Sequence, residues 1–383
     1  MARAELPSSK RVSPNVIKLE HFVSTLKGEQ WQKASAKRRE EWVDLCFRYW
    51  RARGFPYYRL RDWEMLREYG RIASARKDDM LLGDEIQMSM SGIRLANHFH
   101  PQMWGVPVRD AHSPLERFND DEKLRRIICK ALTIWPDRYA VNESNLRRML
   151  TTFSNTAGVS NFRPTAAKAI FEQYSRDGDS VLDFSAGYGG RLLGCLPLDR
   201  HYVGLDPCRW QVTGLRNTIR KLETLVPVRA RASIARACAE DLLPSMESDS
   251  VGLVFSSPPY FDRERYSSEP SQSYVRYPTY EEWLRDFLEP VLRECWRILV
   301  PGGYLVINVA DVNGYKLTDD TLRLASQYFT HARTLRLRLG HKPYLRQRTG
   351  EVFKYEPVFV FRKGAARVRG NGGSAPPPAS FRD

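Results

Sequence analysis

Ser257-Pro258-Pro259-Tyr260 follow directly on the apolar run 251–255, and they are the residues most suited to chemistry. Each proline lacks an N–H and holds φ near −65°, so the turn is stiff and its carbonyls lack local donors. Such carbonyls suit both hydrogens of a planar exocyclic amine, with Tyr260 flat against the ring that carries it. A nucleobase taken out of its stack presents such an amine. The competing reading is a tight strand-end turn capped by an aromatic lid. A second constellation lies upstream: Asp183, Ser185, Gly187, Gly189 and Gly190 in the run Asp-Phe-Ser-Ala-Gly-Tyr-Gly-Gly. Glycines there allow close backbone approach to a ligand, and the helix expected from Arg191 adds positive potential at its N-terminus. About 20 residues on, the strand 201–205 ends in Asp206, placed to accept both hydroxyls of a ribose. Ala239-Glu240-Asp241 then precede the strand that ends at Ser257.

These residues need an open, mostly parallel sheet whose strand ends face one crevice. The runs 180–184, 201–206 and 251–255 are its candidate strands, and the helix expected from Tyr280 to about Leu299 carries Trp283, Phe287, Val291 and Trp296 as core. The polar stretch 262–280, with Tyr266, Tyr274 and Tyr277, has the length of a lid. Asp262 and Glu264 within it read as solvated or lid residues rather than bases, because transfer to an amine needs positioning more than proton removal.

The ordered set Asp-x-x-x-Gly-x-Gly, strand-end Asp206 and Ser-Pro-Pro-Tyr resembles the S-adenosylmethionine-dependent amino-group DNA methyltransferases, over about residues 160–363. The resemblance implies an α/β Rossmann-like methyltransferase fold, a mostly parallel seven-stranded sheet with one antiparallel strand. It also implies that Asn161-Phe162-Arg163-Pro164-Thr165 close over the methionine end of the cofactor, with Phe162 and Thr165 in contact. Asp183, Ser185, Gly187 and Gly189 match the cofactor loop, Asp206 the ribose ligand, and Ser257, Pro258, Pro259 and Tyr260 the catalytic turn. The run 301–309, opened by Pro301-Gly302-Gly303, resembles the fifth strand of that fold, and 355–363 resembles its closing antiparallel strand. The cofactor loop departs from the commoner Asp-Pro-Phe-x-Gly-x-Gly-Thr. Cys238 stands where an Asp often meets the cofactor's adenine, a contact that passes to Glu240 or Asp241 or is lost. The target-recognition region of this subclass usually follows the core, and here little follows it. Double-stranded DNA with a flipped base is the implied partner. The target is N4 of cytosine or N6 of adenine, with serine at the head of the turn leaning to cytosine. RNA amines, or a silent DNA-binding protein with this fold, are the alternatives.

Composition bounds the rest. Of 383 residues, the first 75 carry 16 Lys/Arg against 9 Asp/Glu (+7) and the last 53 carry 12 against 3 (+9), leaving the middle near −1. Basic ends around a neutral core suit a phosphate backbone, against the plainer reading of solubilising charge. The six cysteines are scattered without a Cys-x-x-Cys pair, as in reduced cytosolic proteins. No signal core or membrane-length apolar run is evident, so a soluble cytoplasmic protein is expected.

Three segments follow: 1–155, a mainly helical accessory and DNA-recognition domain; 156–363, the methyltransferase domain; and 364–383, a disordered basic tail with Asn371-Gly372-Gly373 and Pro376-Pro377-Pro378. In the first, a helix is expected from Gln30 to Leu60, with Trp42, Leu45, Phe47 and Trp50 packing and Arg38, Arg39, Arg48, Arg51 and Arg53 around them. The turn Gly54-Phe55-Pro56-Tyr57-Tyr58-Arg59 has groups for phosphates and extruded bases, or for the domain's own core. A further helix is expected over 120–133, capped by Asn119 or Asp120. His98 and His100, two apart as on a strand face, with His112 nearby, read as structural rather than metal ligands; no metal site is expected. Arg109 and Asp110 are open to a domain contact.

Overall fold

A computed structural model of the chain describes residues 20–23, 25, 26, 28–108, 110–134, 141–152, 158–312, 314–341 and 353–364. Arg109 and nearly all of the expected tail, 365–383, lie outside the described residues. The chain divides into two compact units, one within Met1–Tyr58 and Pro101–Val159, the other within Arg59–His100 and Ser160–Asp383. The expected single boundary at 155/156 is therefore corrected: residues 59–100 pack with the sheet unit. Their Leu60, Met65, Tyr69, Ile72, Ile86 and Leu95 share one apolar core with Ile170, Leu192 and Leu215, which is why contact overrides chain order.

The sheet has nine strands: β1 Leu81–Leu82, β2 Glu85–Ile86, β3 Ser180–Asp183, β4 His201–Leu205, β5 Arg231–Ala235, β6 Val251–Ser256, β7 Leu299–Asn308, β8 Thr330–His341 and β9 Phe353–Arg362. Their order is β1-β2-β8-β9-β7-β6-β3-β4-β5. From β5 to β7 all neighbours are parallel, and β9 runs antiparallel to both β7 and β8. This is the Rossmann-like α/β arrangement, with two strands more than the seven expected. The addition has a physical cause. The outer edge of β8 would expose unpaired backbone groups, and β2 pairs with it in parallel while β1 folds back antiparallel on β2. Glu85 secures the pairing by accepting from Arg338 at 2.6 Å and from the Tyr355 hydroxyl at 3.2 Å.

β3 and β6 are apolar on both faces, as strands covered by helices on each side must be, with Val181, Leu182, Leu253, Val254 and Phe255 all buried. The chain winds outward from β3 through β4 to β5, then returns to β6 on the other side of β3. That reversal opens a crevice at the carboxyl ends of β3, β4 and β6.

The helix expected from Tyr280 is present as Tyr280–Trp283, a π turn Leu284–Leu288, and Glu289–Ile298. Pro290 has no N–H to return to the preceding turn, which accounts for the widened turn before it. Trp283, Phe287 and Val291 are buried as expected, but Trp296 is 40% exposed, with Lys363 Nζ 4.7 Å from its ring. The charged side chain covers what the helix turns outward. In the other unit the expected long helix is broken into Gly28–Lys33 and Ala36–Arg53, the second capped by Ser35 and ended by Gly54 at φ 81°. The later helix there is Asp121–Ile134, with Asp120 accepting from the Lys123 amide at 2.9 Å.

Candidate active site

β3 ends on Asp183, whose buried carboxylate is fully committed. It accepts from Arg191 Nε at 2.7 Å, the Tyr202 hydroxyl at 2.8 Å and Ser256 Oγ at 2.8 Å. A buried acid needs such partners to remain charged. Here Asp183 organises the loop from beneath. The Ser185 amide donates to Ser256 Oγ at 3.0 Å, and the Ser185 carbonyl accepts from Arg191 Nη2. Gly187 and Gly189 sit at φ 56° and 78°, a region side-chain-bearing residues rarely adopt. Gly190 is required for space: a Cβ there would lie 1.8 Å from the Phe162 carbonyl oxygen. Asn161 straps the loop from above, accepting from the Gly190 amide at 3.0 Å and donating to the Tyr188 carbonyl at 2.8 Å.

Asp206, just past β4, accepts from the Gly187 amide at 2.9 Å and the Cys208 amide at 2.9 Å. Burial raises its pKa to about 7 in spite of both bonds. Phe162 lies edge-on to Phe255 at 5.3 Å, and Thr165 is buried with an unpartnered hydroxyl. A left-handed glycine loop, a carboxylate at the next strand end and an orphan hydroxyl in the covering segment fit a nucleoside cofactor carrying an amino-acid end.

Glu240 and Asp241 sit differently from the loop residues. Both are engaged by Arg276 of the segment after the catalytic turn, at 2.9 Å to Glu240 and 2.7 Å to Asp241. Glu240 also accepts from the Tyr277 hydroxyl at 3.1 Å, and burial raises its pKa. Asp241 is exposed. Cys238 contributes a weak sulfur contact to the Ser271 carbonyl at 3.4 Å.

β6 delivers Ser257, Pro258, Pro259 and Tyr260 to the same crevice. Ser257 Oγ accepts from Arg191 Nη1 at 2.9 Å. The hydroxyls of Ser257 and Tyr260 both point to Asn308 Oδ1, at 3.4 and 3.3 Å, and Asn308 Nδ2 donates to the Pro357 carbonyl at 3.1 Å. Phe261 follows at φ 53°, a strained conformation for a bulky residue, held by its buried ring against Tyr280 and Tyr315. Glu264 is not the solvated acid its sequence context suggests. It is partly buried, accepts from the Tyr266 hydroxyl, and has a raised pKa from burial.

The crevice thus brings together Asp183, Ser185, Gly187, Gly189, Asp206 and the 257–260 turn. Two participants are absent from the sequence-derived set. Arg191 was signalled by a charge inside the otherwise apolar Gly-Arg-Leu-Leu-Gly, and Asn308 by a polar residue closing the apolar run 305–307. His98 lies on the helix Ile93–Phe99, not a strand, and its Nδ1 accepts from the Leu60 amide at 3.1 Å. His100 is buried against Tyr188, and burial lowers its pKa to about 3. His112 lies 3.8 Å from Glu116. Among the described residues no His/Cys/Asp/Glu group is arranged to hold a metal.

The basic and aromatic turn of the helical unit is absorbed by its own core. Phe55 packs on Trp104 and Phe118, each at 5.5 Å, and Arg147 lies 4.0 Å over Tyr58 while donating to the Pro56 carbonyl at 2.6 Å. Arg51 and Arg53 pair with Asp121 and Glu143. No helix among the described residues is long and apolar enough to cross a membrane.

Residues 251–376 match the DNA methylase family. A stretch of 74 residues is 39% identical to the type II methyltransferase M.BglI of Bacillus subtilis, covering 19% of each chain. Among solved structures, TrmN of Thermus thermophilus is 18% identical with a TM-score of 0.36, over 52% of this chain and 48% of that one. A SAM-dependent O-methyltransferase of Thermotoga maritima is 12% identical with a TM-score of 0.36, over 55% and 69%.

Proposed function

We propose that this chain, whose residues 251–376 carry the DNA methylase signature, transfers a methyl group from S-adenosylmethionine to the exocyclic amine of a DNA base, N4 of cytosine or N6 of adenine. S-adenosylmethionine is the methyl donor this family match indicates. One observation carries the reading: the 183–190 loop and the Ser257–Tyr260 turn share a single buried guanidinium, Arg191, which bonds Asp183 on one side and Ser257 on the other.

The bound cofactor supplies a methyl on a sulfonium, open to attack by a lone pair. The protein's contribution is placement. Asp206 and the 187–190 backbone hold the nucleoside end, with Phe162, Thr165 and the Asn161 strap over the other. The backbone of the 257–259 turn and Ser257 Oγ accept the amine's hydrogens, so that its nitrogen lone pair points along the line of transfer. Tyr260 stacks on the base and holds it out of the helix. As the new N–C bond forms, the sulfonium's S–C bond would break with its electron pair left on sulfur and the nitrogen's proton would pass to water, and alignment accounts for most of the rate. The segment 261–279, tied back to Glu240 and Asp241, covers the base, while the helical unit remains the candidate for sequence recognition.

The test is transfer of labelled methyl to unmodified duplex DNA, followed by nucleoside analysis, with Tyr260→Ala and Asp206→Ala alongside. Labelled N4-methylcytosine or N6-methyladenine, absent with both variants, is the expected result and names the base. Label on RNA alone would move the substrate class. Cofactor binding without label on any nucleic acid would leave a silent binding protein.

A further inference from the structure

We propose that Arg191 and Asn308 are positioning residues that lock the Ser257 hydroxyl as a hydrogen-bond acceptor, and so set the turn to read an amine and reject a carbonyl. This rests on the reading of the crevice as an amine methyltransferase site. A serine hydroxyl has one proton and two lone pairs, and its rotor ordinarily suits either partner. Here the rotor has no such freedom. Arg191 Nη1 takes one lone pair at 2.9 Å, and Asn308 Oδ1 receives the proton at 3.4 Å. Asn308 cannot turn its amide to offer a donor instead, because Nδ2 is held by the Pro357 carbonyl at 3.1 Å and Oδ1 also receives the Tyr260 hydroxyl at 3.3 Å. One lone pair of Ser257 is left, facing neither partner. An amine satisfies it; a base edge presenting O4 or O6 leaves two acceptors opposed, unpaired and desolvated.

Arg191 is itself immobile. Its Nε is held by Asp183 at 2.7 Å, its Nη2 by the Ser185 carbonyl, and its guanidinium carbon lies 5.9 Å from the ring centroids of both Phe162 and Phe255. Three of these four groups belong to the cofactor loop or the segment expected to cover the cofactor. Ordering of that loop by a cofactor is thereby passed to the catalytic turn through one side chain.

The experiment is a double-mutant cycle on Arg191→Lys and Ser257→Ala, read by methyl transfer, and by hydrogen exchange of the 255–263 peptide with and without S-adenosylhomocysteine. Lysine keeps the charge beside Asp183 and loses the fork that reaches Ser257. Arg191→Lys is expected to lower kcat about tenfold with cofactor affinity nearly kept, and to add little once Ser257 is alanine. S-adenosylhomocysteine should slow exchange at the Ser257 and Tyr260 amides in the native chain and not in Arg191→Lys. Losses that multiply in the double variant, or equal exchange protection in native and variant chains, would overturn the proposal. If Arg191→Lys does not fold, Asn308→Ala with Ser257→Ala gives the same cycle. A native chain that methylates nothing would overturn the amine reading alone, since the exchange comparison still reports the coupling.

Discussion

The cofactor loop 183–190 and the segment 261–279 border the same crevice but are built from opposite materials. At the loop both acids are buried, Asp183 with three side-chain donors and Asp206 with two amides, and Gly190 has no room for a methyl group. Beyond its buried Phe261, the segment is held by exposed or partly exposed side chains, Arg276 on Asp241, Arg236 on Glu269 at 3.3 Å, and Tyr274 on the Ser267 carbonyl at 2.6 Å. Buried, mutually satisfied contacts resist local opening, whereas exposed ion pairs are worth little each and exchange with water. Under the proposed function, the first region is the seat for the cofactor and the second the cover over the base.

The largest effect should come from breaking the seat. Gly190→Ala puts a Cβ into the Phe162 carbonyl, and since backbone cannot yield as a flexible side chain does, loss of cofactor binding with a lowered melting temperature is expected. Calorimetric titration and a thermal scan check it. Next is the titration of Asp206. Its pKa rises from 3.8 to about 7 on folding, so between these values the folded chain keeps a proton the unfolded chain has lost. This contribution to stability is full below pH ~4, falls as pH rises, and is lost above pH ~7. Asp206→Asn should therefore gain in melting temperature relative to the native chain as pH rises from 4 to 7. A constant difference across that range would contradict the assignment. Ligand binding has the reverse sign, because only the ionised acid accepts two hydroxyls, so S-adenosylhomocysteine affinity should weaken as pH falls through about 7.

Smaller effects should follow from loosening the cover. Arg276→Ala removes the clamp on Glu240 and Asp241 and should speed hydrogen exchange across 261–279 and lower kcat several-fold, with cofactor affinity little changed. The smallest is Asp241→Asn. Its carboxylate is exposed, so stability should shift by less than about 0.5 kcal/mol. A large loss of cofactor affinity in that variant would return Asp241 to the cofactor set.

Much of the seat was legible before any fold was known. Glycines at 187, 189 and 190, an acid after each of two apolar runs and a double-proline turn are local signals, because backbone conformation and strand ends are local properties. The cover was legible only as a polar stretch. That Tyr266, bonded to Glu264, packs against Tyr188, and that Arg276 reaches acids 35 and 36 residues upstream, depends on packing between distant elements. The turn 54–59 of the helical unit was open in sequence to either role for the same reason. Its arginines and aromatics suit nucleic acid or the unit's own core, and Arg147, far along the chain, packs over Tyr58 and donates to the carbonyl of buried Pro56.

What the sequence determined by itself is five of the nine strands, the residue types at their ends and the class of ligand those residues suit. Each follows from apolar runs, glycine and proline conformations, and charge over short spans. What only the tertiary structure decided is which charges act together. Residues 59–100 join the sheet unit and extend the edge of β8, and Arg191, bonded to Asp183, reaches Ser257, 66 residues further along the chain. Burial makes such links obligatory, since a guanidinium inside a core must find every partner within reach, and only the folded chain brings those partners there.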